Sequence, residues 1–227
     1  MVWNGAASAP FNNDVAAIGR DARSTLAQTA SRSIYSDSVV TVSAASDLND
    51  REFFFWANND APLSETAAAT PPGVAQRLER IWQATEVGEV GTTTIEFDVA
   101  GLGVSGTAAS DFRLIIDTDN DFTSGATLLT ASSFVGNTIT FTGVDLDDGQ
   151  LFTLGTGFNT APTLSDAPVA LNDVAEDAGS PMGAVGTLIS ALVDLNPPAG
   201  GYDNVSDPDA GAVTGIAVIA ADTTNGN

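Results

Sequence analysis

The chain has 227 residues, 43% of them apolar, which is enough for one large β domain or two smaller ones with a real core. Its 29 acidic residues face 7 basic ones, all arginine, and the resulting charge of −22 repels nucleic acid and anionic membrane surfaces while drawing cations. Cysteine and histidine are both absent, so disulfides, thiolate and imidazole metal sites, and Ser-His-Asp or Cys-His catalysis are excluded, leaving carboxylate chemistry and hard cations such as calcium.

The opening MVWNGAASAP has neither a basic n-region nor an apolar h-region, and no apolar run of about 18 residues follows. No signal peptide or membrane insertion is therefore expected within the chain. VWNG already reads as strand, so the chain is expected to be a fragment of a longer exported protein.

From Ser38 onward, short runs rich in β-branched and aromatic residues alternate with Gly, Asn, Asp and Ser clusters, which predicts an all-β antiparallel sandwich of Ig-like or jelly-roll type. The clearest strands are SVVTVSA (Ser38 to Ala44), EFFFWA (Glu52 to Ala57), GTTTIEFDVA (Gly91 to Ala100), FRLIID (Phe112 to Asp117), NTITFTGV (Asn137 to Val144) and GQLFTLGT (Gly149 to Thr156). Ile95, Phe97 and Val99 alternate with Thr94, Glu96 and Asp98, and period two sends one set to a core and the other to water. Between these runs, Pro71, Pro72 and Gly73 break the only helix-like stretch, so Arg77 to Glu86 is read as strand.

After LIID comes DTDNDFTSGATLL, with Asp117, Asp119 and Asp121 at alternate positions, as in the first half of a calcium loop. Phe122 stands where an EF-hand needs glycine, and Leu128 where it needs a bidentate glutamate. Two readings stay open: a shorter calcium loop, helped by Asp145, Asp147 or Asp148, or a solvated Asp/Asn turn.

Near GFNTAPTLSDAPVALND the composition shifts, and 9 acidic residues but no basic one follow Phe158. The expected domains are therefore 1–158 and 159–227. VGTLISALVD and TGIAVIAA are too few strands to close a sandwich, so the second unit is expected to be partial and Ig-like or cadherin-like, and to dock its strands on the first domain or on another copy of the chain, as a homo-oligomer or fibre. Asp207 and Asp209, on either side of Pro208, are candidate metal ligands there, against a polar Asp-Pro turn.

Taken in order, FNNDVAAIGRD, SRSIYSDSVVTV, EFFFWANND, RLERIWQATEVGEVGTTTIEFDVAGLG, LIIDTDNDFTSGATLL and DGQLFTLGT resemble a poorly characterised β domain of very large bacterial secreted or surface proteins, over roughly Trp3 to Thr156. In such proteins the domain commonly follows a concanavalin-like fold and precedes tandem repeats, and its activity is unknown. DAPVALNDVAEDAGSPMGAVGTLISALVD with SDPDAG resembles the first half of a cadherin-like adhesin repeat, which implies an extracellular, often calcium-stiffened stalk.

The function expected from all this is a non-catalytic structural module of an extracellular surface protein, adhesin or fibre, stabilised by calcium, with a cell-surface glycan or protein as possible target. The alternative is a carbohydrate-binding module, in which Trp3, Trp56, Trp82 and the amides of FFFWANND form a sugar platform rather than core. A glycosidase would need a carboxylate pair, and Glu52, Glu79, Glu86 and Glu96 offer none that stands out. No enzyme is expected.

Overall fold

The computed structural model describes residues 8–158, 163–164 and 205–206. The chain divides into two units, Met1–Asn159 and Thr160–Asn227. In the first, fourteen strands run in chain order: β1 (Asn13–Asp21), β2 (Leu26–Gln28), β3 (Ala30–Arg32), β4 (Val40–Ser43), β5 (Phe53–Asn58), β6 (Glu65–Thr66), β7 (Val74–Leu78), β8 (Trp82–Val87), β9 (Thr93–Asp98), β10 (Arg113–Asp117), β11 (Thr127–Thr130), β12 (Ser133–Val135), β13 (Thr138–Val144) and β14 (Leu151–Phe158). A 3-10 turn, Ala109–Asp111, leads into β10. Of the second unit, β15 (Thr163–Leu164) and β16 (Val205–Ser206) are described, paired antiparallel. The strands expected at VGTLISALVD and TGIAVIAA lie outside the described residues.

The first unit is an all-β sandwich. One sheet has the order β11-β10-β14-β8-β5-β1-β2, with β7 also on β14 and β6 on β7; the other has the order β12-β13-β9-β4-β3, and every pairing is antiparallel. The alternation read in the sequence is the alternation of the fold. Ile95 and Phe97 of β9 and Ile139 and Phe141 of β13 are buried, while Thr94, Glu96 and Asp98 stay half-exposed. Aromatic rings join the two sheets across the core: Trp82 stands edge-on to Phe97 at 5.5 Å and stacks on Phe152 at 6.0 Å. Such ring pairs add about 0.5–1.5 kcal/mol beyond their buried area.

The segment Arg77 to Glu86 is strand, but in two pieces. β7 and β8 lie on the same edge of β14, β8 against Leu151 and Phe152 and β7 against Gly155 to Phe158. At the break the ladder is interrupted, and the buried Thr153 hydroxyl replaces it, 3.1 Å from the Leu78 carbonyl and 2.8 Å from that of Arg80. A buried carbonyl without a partner would cost about 1–3 kcal/mol, and here the Thr153 hydroxyl together with Arg77 Nη1, 2.7 Å from the Leu78 carbonyl, keeps both carbonyls paired.

A second, smaller core lies on the outer face of the large sheet, where Val74, Ile81, Ile115, Phe122 and Leu151 pack together. It explains why Leu114, Ile115, Ile116 and Asp117 are all buried: this strand is covered on both faces.

Candidate functional site

The Asp-rich loop after β10 is built as a ladder of side-chain turns. Asp117 Oδ1 accepts from the Thr118 amide at 2.6 Å and the Asp119 amide at 3.4 Å, Asp119 Oδ1 accepts from the Asp121 amide at 2.8 Å, and Asp121 Oδ1 accepts from the Thr123 amide and hydroxyl at 3.2 and 2.7 Å. Each carboxylate thus replaces a ladder bond that the turning backbone gives up. The Thr123 hydroxyl and amide hold the Asp121 carboxyl below its ordinary pKa.

These three residues alternate along the chain, and one oxygen of each is spent on its own turn. Among the described residues no group of three or more carboxylates is placed to hold a metal ion. Asp145, Asp147 and Asp148, the suggested helpers, lie in the β13–β14 turn, where Asp147 caps Gln150 and Asp148 accepts from the Glu86 amide. One atom stands apart: Asp117 is 8% exposed, and its Oδ2 is buried with no hydrogen-bond partner. The other two candidates, Asp207 and Asp209, lie outside the described residues.

Phe122, at the position where an EF-hand requires glycine, is fully buried in the outer core, and the Arg77 guanidinium lies 5.3 Å from its ring centre. Arg77 also donates to the carbonyls of Ala69 and Leu78 at 3.0 and 2.7 Å. Burial lowers its pKa, an effect opposed by the nearby Glu79 charge. The loop is therefore tied down by a ring, with its acids facing back on their own backbone.

A different polar constellation gathers at the bend between β7 and β8. Arg80 is buried; its Nε donates to the Ala61 carbonyl at 2.7 Å, and its Nη1 reaches Asp37 Oδ2 at 2.9 Å and Asp14 Oδ2 at 3.4 Å. Nη2 approaches Asp60 Oδ1 only to 4.0 Å. Asn58, also buried, donates to the same Asp14 oxygen at 2.8 Å, and Asn59 Oδ1 accepts from the Ile81 amide at 3.1 Å. The hydrogen bond from Arg80 is the main reason the Asp37 carboxyl sits below its ordinary pKa.

Above this cluster opens a cleft of about 550 Å³, lined by Asn12, Asn13, Asp14, Tyr35, Asp37 and Asp60 among others. Asp14 and Asp60 hold φ angles of 50° and 58°, a left-handed backbone that Asp tolerates better than most residues. Tyr35 is 63% exposed and its neighbour Ile34 97%, so an apolar loop tip stands beside a polar cavity. Sequence reasoning did not single out Arg80 or Tyr35. The available signals were the charged pair Glu79-Arg80 between apolar Leu78 and Ile81, and an Ile-Tyr pair within the polar stretch SRSIYSDS.

Of the proposed sugar platform, Trp56 and Trp82 are 1% and 2% exposed and belong to the core, while Trp3 lies outside the described residues. Elsewhere in FFFWANND, Phe53 and Phe55 are half-buried and line an apolar groove with Leu26 and Gln28, and Asp60 lines the cleft. Three of the four glutamates considered for catalysis tie turns or loops. Glu52 accepts from the Asn49 amide at 2.6 Å, Glu79 from the Ser64 hydroxyl at 2.6 Å and Glu86 from the Val90 amide at 2.8 Å. Glu96 stands on the half-exposed face of β9.

Residues 1–150 match a protein family described as a domain of unknown function (DUF8202). The chain belongs to that family. No curated protein and no solved structure matches it.

Proposed function

We propose that this chain is a non-catalytic structural module of an extracellular bacterial surface protein, adhesin or fibre. The observation that carries the reading is the use made of its carboxylates: Glu52, Glu79, Glu86, Asp117, Asp119 and Asp121 each accept a hydrogen bond that closes a turn or ties a loop. The acidic surface thus serves to build and solubilise a β scaffold. The placement outside the cell is supported by the order of sequence stretches that resemble secreted and surface proteins, and a charge of −22 suits a surface that must stay soluble there. Self-association through the strands expected in 159–227, and calcium at Asp207 and Asp209, belong to the same proposal and concern residues outside those described.

Urea unfolding of Glu52→Ala and Glu79→Ala tests it. A carboxylate that holds a turn loses about 0.5–1.5 kcal/mol of stability on removal. A carboxylate kept for catalysis commonly leaves the protein equally or more stable when removed, because active sites are paid for in stability. Lowered midpoints for both variants are the expected result, and unchanged or raised midpoints would refute the structural reading.

A further inference from the structure

We propose that the apolar groove over β5, β1 and β2 is the docking site of residues 1–7 of the same chain, with the Trp3 ring as the group that fills it. The proposal goes beyond the structural reading above and does not depend on where the protein resides.

The groove follows from the side chains that strand alternation turns away from the core. Phe54 and Trp56 of β5 and Ala16 and Ile18 of β1 belong to the core between the sheets, so Phe53, Phe55, Ala17 and Gly19 face outward. Phe53 and Phe55 stack with ring centres 6.1 Å apart and form one wall, and Leu26 and Gln28 of the edge strand β2 form the other. Between the walls the floor is low, because Ala17 and Gly19 carry almost no side chain, and a Cβ at Gly19 would stand 2.2 Å from the Phe53 ring. The result is a trough of about 460 Å³. Gln28 is its one polar side chain, and that amide already donates to the Ala30 carbonyl. Such a lining selects an apolar occupant over a sugar or an ion.

The size of the groove decides what kind of occupant it holds. A separate protein needs roughly 800 Å² of contact per partner to stay bound, and the lining amounts to parts of seven residues. A tethered segment has no such requirement, because docking within one molecule gives up little translational and rotational freedom. Over β10 and β14 the same outer face is already covered in this way, by Phe122 and Phe11, each carried outside the strands of the sheet.

Phe11 sets the course of the segment that precedes it. It stands two residues before β1 and packs against the outer core, so the chain enters β1 from the outer face, and its amide closes a turn on the Ser8 carbonyl at 2.7 Å. From β14 to β5 is two strand spacings, about 10 Å. Trp3 is five residues ahead of Ser8, an extended reach of about 17 Å. In MVWNGAA it is the one aromatic ring.

Tryptophan fluorescence of the full chain tests the proposal, because Trp56 and Trp82 are core residues and Trp3 is the third and last indole. The Trp3 contribution is the difference between the unaltered chain and Trp3→Phe. The expected result is a blue-shifted emission and acrylamide quenching several-fold weaker than that of N-acetyltryptophanamide, with quenching restored toward the free value in Phe55→Ser and in Leu26→Asp, each compared with its own Trp3→Phe partner. Leu26 is 41% exposed and its replacement leaves the core untouched, so it decides the matter if Phe55→Ser unfolds, which the emission of Trp56 and Trp82 reports. The proposal is overturned if Trp3 in the unaltered chain is quenched as freely as the free amide, if it stays protected in folded Leu26→Asp, or if its protection is lost on dilution, which would give the segment to a second copy of the chain.

Discussion

The Arg77 guanidinium carbon lies 5.3 Å from the centre of the Phe122 ring, so the Asp-rich loop is anchored from within by a cation resting on an aromatic face. Phe122 is fully buried against Val74, Ile81, Ile115 and Leu151, whereas the acids around it are mostly exposed. Phe122→Ala is expected to cost about 3–5 kcal/mol by urea unfolding, and Asp119→Ala about 1 kcal/mol or less. The reverse order would mean that the loop is held by its carboxylates.

Calcium separates the two readings of the same loop. Because the carboxylates of Asp117, Asp119 and Asp121 each serve their own turn, millimolar calcium is expected to raise the melting temperature of the unaltered chain and of Asp119→Ala by the same amount, through screening of the −22 charge. A shift lost in Asp119→Ala would show instead that the loop closes on a cation, with the unpartnered Asp117 Oδ2 as one ligand.

Arg80 is the residue whose loss should be felt most among the charged groups around Asp14. Its removal leaves Asp14, whose side chain is 10% exposed, without its counter-charge. Arg80→Met is expected to cost about 3–5 kcal/mol, the usual penalty for a stranded buried charge. Asp60→Asn, at a position 70% exposed, should change stability by less than about 0.5 kcal/mol. Equal effects of the two substitutions in urea unfolding would contradict the hub described here.

The pH dependence has two opposed parts. Asp37, bonded by Arg80, Asp98, bonded first by the Ala100 amide and then by Arg32, and Asp121, bonded by Thr123, all have folded pKa values below the ordinary 3.8. In Asp111 burial acts the other way, but hydrogen bonds from the Thr107 and Ala108 amides and the Ser110 and Thr107 hydroxyls together outweigh it. These groups stabilise the fold above their unfolded pKa, and that stability is lost as pH falls through the folded values. Glu86 is raised above 4.5, first by burial and further by Glu89, Asp145 and Asp147, against the Val90 amide. Lowering the pH through its raised value therefore adds stability until the unfolded value is reached. The urea midpoint should rise as the pH is lowered toward the ordinary glutamate value and fall once it passes below the ordinary aspartate value, and Glu86→Gln should reduce the rise. A midpoint that declines steadily from pH 7 would contradict this assignment.

How far the sequence was legible depended on the range of the forces involved. Ile95, Phe97, Ile139 and Phe141 could be read because period two is a local signal of a half-buried strand. The division of Arg77 to Glu86 into two strands could not, since it depends on Thr153, more than seventy residues away, satisfying the interrupted ladder. The short strands β2, β3, β6, β11 and β12 have two to four residues each and too little alternation to stand out. At the Asp loop the spacing of the acids was plain, but the destination of Phe122 was not, because the outer core it fills comes from four separate parts of the chain. The cleft was hidden for the same reason: Asp14, Asp37, Asp60 and Arg80 converge only in the fold.

The most direct measurement of the central claim is the accessibility of the domain on cells that make this protein. Antibodies raised against a folded fragment ending near Phe158 are applied to intact cells and to permeabilised ones. An extracellular structural module predicts equal labelling in both. Labelling that appears only after permeabilisation would place the domain inside the cell and contradict the account.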